Sequence, residues 1–207
     1  MNCFVMFSGG VEATATLQWV KNHPDYDPVA VHSVFDNPLS SSRQVNANIP
    51  KICELLDVPL IIHEHPVYEQ NFGESEEYIH SSKHWILAAC TLALKYPNVK
   101  DFMWGVNSGN RNFGDDMSDF HFLPRAWEFQ IVFEFFCRQM NDKGHRQRLW
   151  PPLNGWTKKE MWDSINPDVK KWVQSCGRPL SYDGQSPCGE CHKCREFRFL
   201  TMEKIEI

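Results

Sequence analysis

The sequence has no long apolar run, no excess of positive charge and no internal repeat. No stretch reaches the roughly 20 apolar residues that a membrane-spanning helix needs. Residues 1–7 also lack the basic start and long apolar core of a signal peptide, so we expect a cytoplasmic protein with no membrane partner. The net charge is -5, whereas proteins that hold nucleic acid mainly through its phosphates are usually basic. We therefore expect a small-molecule substrate and no bulk nucleic-acid binding.

Disulfides are not indicated either, although the chain has eight cysteines. Half of them are scattered through apolar stretches, where cysteines of a cytosolic chain are usually buried, reduced and inert. These scattered cysteines are Cys3, Cys53, Cys90 and Cys137. The remaining cysteines form a cluster near the C-terminus, and their spacing decides what they do.

Short apolar runs alternate with segments of helical period along most of the chain. The predicted strands are residues 3–7, 28–35, 60–63 and 101–106, and the predicted helices are residues 11–22, 42–56, 81–96 and 124–141. This alternation predicts right-handed crossovers and an α/β fold with a doubly wound, mostly parallel sheet. Ligands of such sheets bind beyond the carboxyl ends of the strands. The loops after Phe7, Phe35 and Val106 are therefore expected to line one site.

A tight glycine turn follows the first predicted strand. Ser8, Gly9 and Gly10 separate this strand from a helix whose first turns contain Glu12 and Thr14. Glycines let the backbone approach a phosphate closely, and a helix N-terminus presents free N–H groups and a partial positive charge. The hydroxyls of Ser8 and Thr14 are candidate additional donors. The pattern is neither a Walker loop nor GxGxxG, and the alternative interpretation is a plain strand-to-helix turn without a ligand.

The clustered cysteines have the spacing of a metal site. Eleven residues separate Cys176 from Cys188, and Cys191 and Cys194 follow at intervals of two intervening residues. Four thiolates match a closed tetrahedral zinc site, whose role is structural. An iron–sulfur cluster is the alternative, but ferredoxin spacing would place a further cysteine and a proline after Cys194. His192 is a substitute ligand, although inside the turn we expect it to point outward.

The sequence changes character after residue 144. Residues 150–153 are irregular, and residues 157–160 fit a capping box that opens a short helix. The cysteine cluster and a final segment, residues 195–207, follow. We therefore divide the chain into a nucleotide-binding α/β domain, residues 1–145, and a small C-terminal helical lobe that holds the zinc, residues 146–207.

The order of these motifs resembles that of the 7-cyano-7-deazaguanine synthase family of the PP-loop ATP pyrophosphatases, over nearly the whole chain. The family's Ser-Gly-Gly-x-Asp-Ser-Thr loop corresponds to residues 8–14, and its closing cysteine motif corresponds to Cys176 and residues 188–194. Shorter matches are the family's Phe-Asp turn at Phe35-Asp36, its Gly-Val pair at Gly105-Val106, and its Pro-Leu before a lysine-rich helix at Pro152-Leu153. The family's Gly-Arg-Asn segment falls at a place similar to that of Ser82-Lys83-His84, where the residues differ.

The resemblance implies an ATP-dependent carbon–nitrogen ligase of Rossmann-like fold. Magnesium would be held by Glu12, and Lys83 would neutralise phosphate, so both are candidate catalytic residues. The implied nucleotide contacts are Ser8, Gly9, Gly10, Thr14, Phe35 and Gly105.

The reaction implied by the resemblance converts 7-carboxy-7-deazaguanine and ammonia to 7-cyano-7-deazaguanine, for queuosine or other deazaguanine modification of nucleic acids. ATP would activate the carboxylate as an adenylate, and ammonia would displace AMP to give an amide. A second ATP would then drive dehydration of the amide to the nitrile.

Several residues depart from the family's pattern. Glu12 and Ala13 replace the loop's Asp and Ser, Lys83 replaces an arginine, and the aromatic-Gly-Gln run expected after Asp36 is absent. A lysine cannot form the two-pronged fork of an arginine. Four alternatives therefore stay open: an enzyme that stops at the amide, one that joins the deazaguanine to another amine, a PP-loop ligase or thiolase with a different substrate, and a non-catalytic nucleotide-binding relative. A homodimer is left open as the assembly.

Two further groups are weaker candidates. Asp115 and Asp116 lie in a loop rich in Asn and Gly after a predicted strand, where they would bind a base edge or magnesium, or simply face solvent. A basic patch for phosphate is the second, and a solvated surface is its alternative; it contains Lys143, His145, Arg146 and Arg148.

Overall fold

A computed structural model describes residues 2–35, 48–65, 81–106, 122–140, 147–174, 187–190 and 192–201. The strands are β1 (Asn2–Met6), β2 (Asp27–Phe35), β3 (Leu60–His65), β4 (Asp101–Trp104) and β5 (Arg148–Trp150). The helices are α1 (Val11–Asn22), α2 (Asn48–Leu56), α3 (Ser81–Lys95), α4 (Phe122–Met140), α5 (Lys158–Ser164), α6 (Pro167–Lys170) and α7 (His192–Thr201). Within the described ranges, no helix is both long and apolar enough to cross a membrane.

The five strands form one parallel sheet in the order β3-β2-β1-β4-β5. The chain moves outward from β1 through β2 to β3, and then returns to the other side of β1 to form β4 and β5. This reversal creates a topological switch point between β1 and β4, the position where ligands bind in open α/β sheets. The structure confirms the predicted mostly parallel α/β sheet.

The central strand β1 is buried on both faces, and this explains its uninterrupted apolar sequence. Successive strand side chains point to opposite faces. Cys3 and Val5 pack into a core cluster with α1, α2 and the C-terminal helices, whereas Phe4 and Met6 pack into a second cluster with α3 and α4. Helices therefore cover both faces of the sheet, as a doubly wound fold requires.

The longer predicted helices are present in the structure, whereas several short elements were not predicted. The first helix begins and ends at the predicted residues, Val11 and Asn22. The second begins at Asn48, and the part predicted before residue 48 lies outside the described residues. The short strand β5 was not predicted, because three residues before Pro151 are too few to show a period. The short α6 and the terminal α7 were not predicted either.

The strand β5 is attached to the sheet by two buried polar side chains. Gln147 donates its amide N–H groups to three backbone carbonyls at the end of α3 and in the turn after it. Asp101, at the start of β4, accepts hydrogen bonds from Arg148 and Trp150. Both side chains satisfy backbone or indole groups that would otherwise be buried without partners.

The core continues across the predicted domain boundary at residue 145. Residues 148–150 belong to the sheet, and Leu153, Met161 and Leu200 pack in the same cluster as Val5 of β1. The described C-terminal helices therefore share the core of the sheet. The division into two domains, residues 1–145 and 146–207, stays a prediction.

The helix α5 begins with the predicted capping box. The Thr157 side chain accepts a hydrogen bond from the Glu160 N–H at 3.2 Å, and the Glu160 carboxylate accepts one from the Thr157 N–H at 2.7 Å. These two bonds satisfy N–H groups that a helix end otherwise leaves open.

Thr157→Ala should lower the free energy of unfolding by about 1 kcal/mol, the usual cost of losing an N-cap side chain. Urea unfolding followed by circular dichroism measures this change. Thr91→Ala is the control, because Thr91 lies inside α3 and its hydroxyl only bonds back to the Leu87 carbonyl. The control should change stability by less than about 0.5 kcal/mol. Equal losses in the two variants would contradict the capping role of Thr157.

Candidate functional site

The turn between β1 and α1 has the geometry of a close backbone loop. Gly9 has a φ of 76°, in the left-handed region that other residues adopt only with strain. Gly10 is the N-cap of α1 and has no side chain that could cap the first N–H groups of the helix. Ser8 is exposed at the tip of this turn. The turn therefore presents backbone donors at the carboxyl edge of the sheet.

Gly105, just after β4, lies directly against the start of α1. A Cβ atom at this position would be 2.6 Å from the amide nitrogen of Ala13, and closer still to the carbonyl carbon of Glu12. Real Cβ atoms do not approach backbone so closely, which means that only glycine allows the two segments to meet. The structure thus brings together Gly9, Gly10, Glu12 and Gly105 at the switch point between β1 and β4.

Thr14, unlike Ser8, is not at the surface of the turn. Its side chain is fully buried in the second turn of α1. Its hydroxyl has no hydrogen-bond partner among the described residues. This position gives no support to the prediction that Thr14 donates to a nucleotide, because the hydroxyl is not at the surface of the turn.

Two predicted residues are located only through their backbone. Phe35 ends β2 at the same edge of the sheet, and Lys83 lies in the first turn of α3. The start of α3 is positioned by Trp85, whose ring centre is 6.5 Å from that of His32 on β2. The Nδ1 of His32 in turn donates to the Phe7 carbonyl at 2.9 Å, just before the glycine turn. Lys83 is therefore on a helix that begins near the candidate site.

A buried lysine connects the glycine turn to the C-terminal helices. The Lys158 side chain is only 6% exposed, and its Nζ lies 2.9 Å from Oε1 of Glu12. It also donates to Oε2 of Glu196, which is likewise buried. Burial alone would lower the pKa of Lys158, but the two carboxylates raise it above its ordinary value. The lysine is therefore charged, and it faces two carboxyl groups.

Of this group, the sequence pattern predicted only Glu12. Lys158 lies in a lysine-rich segment, and the pattern does not distinguish it from Lys159, which is exposed and paired with Asp163. Glu196 was missed, because it follows the cysteines in a segment without a clear period. Only the packing of α7 against α5 and α1 shows that these residues meet.

A second contact joins the glycine turn to the segment that leads to the cysteines. The backbone N–H of Gln174 donates to the Gly9 carbonyl at 3.1 Å. Its side chain accepts a hydrogen bond from Asn48, at the start of α2, at 3.3 Å. The turn is thus held from the C-terminal side by Gln174 as well as by Lys158.

Two of the predicted zinc ligands lie close together. The Sγ atoms of Cys188 and Cys194 are 3.9 Å apart. Two thiolates bound to one tetrahedral zinc ion at about 2.3 Å each would lie about 3.8 Å apart, so the observed spacing fits a shared ion. Cys176 and Cys191 lie outside the described residues. Within the described part of the chain, no group of three or more metal-binding side chains is assembled.

The four scattered cysteines are buried and unpaired, which confirms their predicted burial. Burial raises the pKa of Cys3, Cys53 and Cys90 to about 12 and that of Cys137 to about 11. A thiol, and not a thiolate, is therefore present at neutral pH, and the thiolate is the reactive form. These cysteines belong to the core.

No family model and no curated protein sequence matches the chain. Among solved structures, the fold is similar to that of the U34-tRNA thiolase NcsA from Methanococcus maripaludis, which was determined with its 4Fe-4S cluster. The TM-score is 0.54 and the identity 13%, and the match covers 88% of this chain and 60% of that chain. At this identity the likeness establishes a shared α/β fold, and this chain spans less than two thirds of the thiolase.

Gly105→Ala should destabilise the protein by about 1–3 kcal/mol, because the added methyl group must displace the backbone of α1. Gly155→Ala is the matched control, since no atom lies within 4 Å of a Cβ built there. We expect the control to change stability by less than about 0.5 kcal/mol. Thermal and urea unfolding of both variants measure the difference. A Gly105→Ala variant as stable as the control would show that β4 and α1 do not meet as described.

Proposed function

We propose that this chain is an ATP-using enzyme of the PP-loop class that converts 7-carboxy-7-deazaguanine and ammonia to 7-cyano-7-deazaguanine. The observation that carries the proposal is the meeting of the glycine turn, Glu12 and Gly105 at the switch point of a parallel sheet. The substrate and reaction come from the resemblance of the motifs. The proposal depends on the predicted α/β fold, and the likeness to the fold of a tRNA thiolase supports that fold.

The glycine turn would hold the phosphates of ATP. Its backbone N–H groups and the start of α1 offer donors and a partial positive charge to an anion. As the bond between the α- and β-phosphates breaks, negative charge grows on the leaving pyrophosphate. Donors already fixed in position stabilise this charge without reorganisation. The exposed hydroxyl of Ser8 would add a further donor.

Glu12 and Lys83 would handle the remaining charge of the nucleotide. The Glu12 side chain is 22% exposed, and Lys158 contacts its Oε1 at 2.9 Å. The Glu12 carboxylate would offer an oxygen ligand to a divalent cation, and Mg²⁺ would neutralise the phosphate oxygens. Lys158 would act as a positioning residue, because it fixes the direction of the Glu12 carboxylate. Lys83 would approach the phosphates from the start of α3.

The chemistry requires two activations. A carboxylate oxygen of the substrate attacks the α-phosphorus of ATP, and pyrophosphate leaves. Ammonia then attacks the acyl carbon. The bond between this carbon and the bridging oxygen breaks, so AMP leaves with that oxygen, and loss of a proton gives the amide. The amide oxygen attacks a second ATP, with release of pyrophosphate, and loss of AMP together with both N–H protons gives the nitrile. The protein would contribute orientation and charge stabilisation.

We further propose that Cys176, Cys188, Cys191 and Cys194 bind a structural zinc ion. The 3.9 Å spacing of two of the sulfurs supports a single ion. In a 4Fe-4S cluster each thiolate binds a different iron, so the cysteine sulfurs lie farther apart. Zinc would fix α7, which carries both Cys194 and Glu196, and would thereby hold Glu196 against Lys158. It would stabilise the arrangement of the site without taking part in the reaction.

Purified protein should contain about one zinc ion per chain, and no labile sulfide. Alkylation of the native protein at neutral pH should leave Cys3, Cys53, Cys90 and Cys137 unmodified, because burial keeps them protonated. Chelation should expose the clustered cysteines to the reagent, as peptide mass spectrometry would show. Iron with labile sulfide would contradict the zinc assignment.

A thiolase is the second candidate, and the observation in its favour is the likeness to a tRNA thiolase that holds an iron–sulfur cluster. Such an enzyme would also need to bind tRNA, and the net charge of -5 is unfavourable for contact with its phosphates. The metal analysis separates the candidates, since iron and sulfide would favour the thiolase.

Wild-type protein incubated with 7-carboxy-7-deazaguanine, ammonium, ATP and magnesium should release pyrophosphate and form the nitrile, detected by mass spectrometry. Lys158→Met should reduce this rate by about 100-fold, because a misdirected Glu12 disturbs the alignment of reacting groups. Lys159→Met is the control and should retain the wild-type rate, since Lys159 pairs with Asp163 at the surface.

Glu12→Gln tests the same site if Lys158→Met fails to fold, because the amide keeps the size of the side chain and an acceptor for Lys158. Amide without nitrile would show a reaction that stops at the first step. ATP binding with neither product would reject the proposed substrate, and no ATP binding at all would reject the enzyme class.

A further inference from the structure

Helix α4 has apolar side chains on two opposite faces. Phe133 and Cys137 point into the core beneath the helix. Trp127, Ile131 and Phe135 are 59%, 66% and 63% exposed, and they recur every fourth residue. Residues with this spacing share one face of a helix, and here that face is opposite to the buried one. We call these three residues the outer stripe of α4.

Further apolar side chains are exposed on α4 and on the helix beside it. Val132 of α4 is also exposed, at 52%. On α3, which packs beside α4 over the same face of the sheet, Leu87 and Leu94 are exposed as well. Single exposed apolar residues are ordinary, whereas three that share one face of a helix mark a candidate interaction site.

We propose that the outer stripe of α4 pairs with the same stripe of a second copy of this chain, in antiparallel orientation. The charges beside the stripe select this partner and direction. Glu128 and Arg138 are both exposed near the two ends of the stripe, and their positions along the helix are symmetric about Phe133, as are those of Ile131 and Phe135. An antiparallel twofold pair therefore brings Glu128 level with Arg138 of its partner, and Ile131 level with Phe135.

The parallel orientation is disfavoured by the same charges. It would place Glu128 level with Glu128 and Arg138 level with Arg138, and like charges across an interface oppose association. The antiparallel pair instead gives two identical apolar contacts at its centre and two identical opposite-charge pairs at its ends.

This interface would leave the candidate nucleotide site accessible. The outer stripe faces away from the sheet on the side covered by α3 and α4, whereas Lys158 and α1 lie on the other side. Pairing through α4 is thus independent of the proposed reaction, and a failure of one inference leaves the other unaffected.

Sedimentation velocity over a range of protein concentrations tests the pairing. We expect wild-type protein to form a dimer, and Phe135→Glu to weaken dimer affinity by about tenfold or more, since it buries a charge at the centre of the interface. Leu55→Glu is the matched control: Leu55 is 40% exposed on α2, on the opposite face of the sheet, and its replacement should not change the dimer. Circular dichroism verifies that each variant is folded.

Charge reversal tests the orientation. Glu128→Arg and Arg138→Glu should each weaken the dimer, because each creates like charges across the interface, and the double variant should restore it. Arg138 also lies 3.4 Å from Glu134 of its own helix, so thermal unfolding of each variant measures that separate effect. A monomer at all concentrations would overturn the proposal. The stripe would then be covered by another segment of the chain or by a different partner. A dimer insensitive to Phe135→Glu, or a double variant without recovery, would also overturn it.

Discussion

The ammonium of Lys158, buried between two carboxylates, is the interaction on which the arrangement of the site depends. Glu12 comes from the start of α1 and Glu196 from α7, so one cation fixes the relative positions of three helices. Removing one member of such a buried group leaves an uncompensated charge, which typically costs about 3–5 kcal/mol. The interaction therefore selects one arrangement of α1, α5 and α7, and with it the direction of the carboxylate beside the glycine turn.

The other constraint is close approach of backbone to backbone. Gly9 provides the left-handed turn and Gly105 provides the space in which β4 passes the start of α1. Together with the Gln174 N–H on the Gly9 carbonyl, these contacts hold the turn from three directions. A rigid turn of this kind keeps its N–H groups in place for an anion before the anion arrives, which is the basis of electrostatic stabilisation in enzymes.

The sequence predicted those parts of the fold that rest on local patterns. The apolar run of β1 and the period of α1 depend on burial along one element, and both were predicted within one residue. The strand β5 depends on hydrogen bonds to β4 and on Gln147 and Asp101, which no local pattern contains. In the site, the glycine turn and Glu12 were predicted from their residues. Lys158 was not predicted, because only tertiary packing distinguishes it from Lys159. Glu196 could not be predicted, because its partner lies 38 residues away in the chain.

The position of β1 in the sheet also has a consequence for biosynthesis. This strand can pair with β2 soon after both have emerged from the ribosome. Its other neighbour is β4, so the pairing of Cys3 with Asp101 forms only after residue 101 has been translated. Until then a strand that is apolar on both faces has one open edge. Parallel pairings between distant segments form slowly, and unpaired apolar edges are prone to aggregate in the meantime. The nascent chain thus carries this apolar strand with an open edge until β4 has been synthesised, which is the condition under which chaperones engage growing proteins.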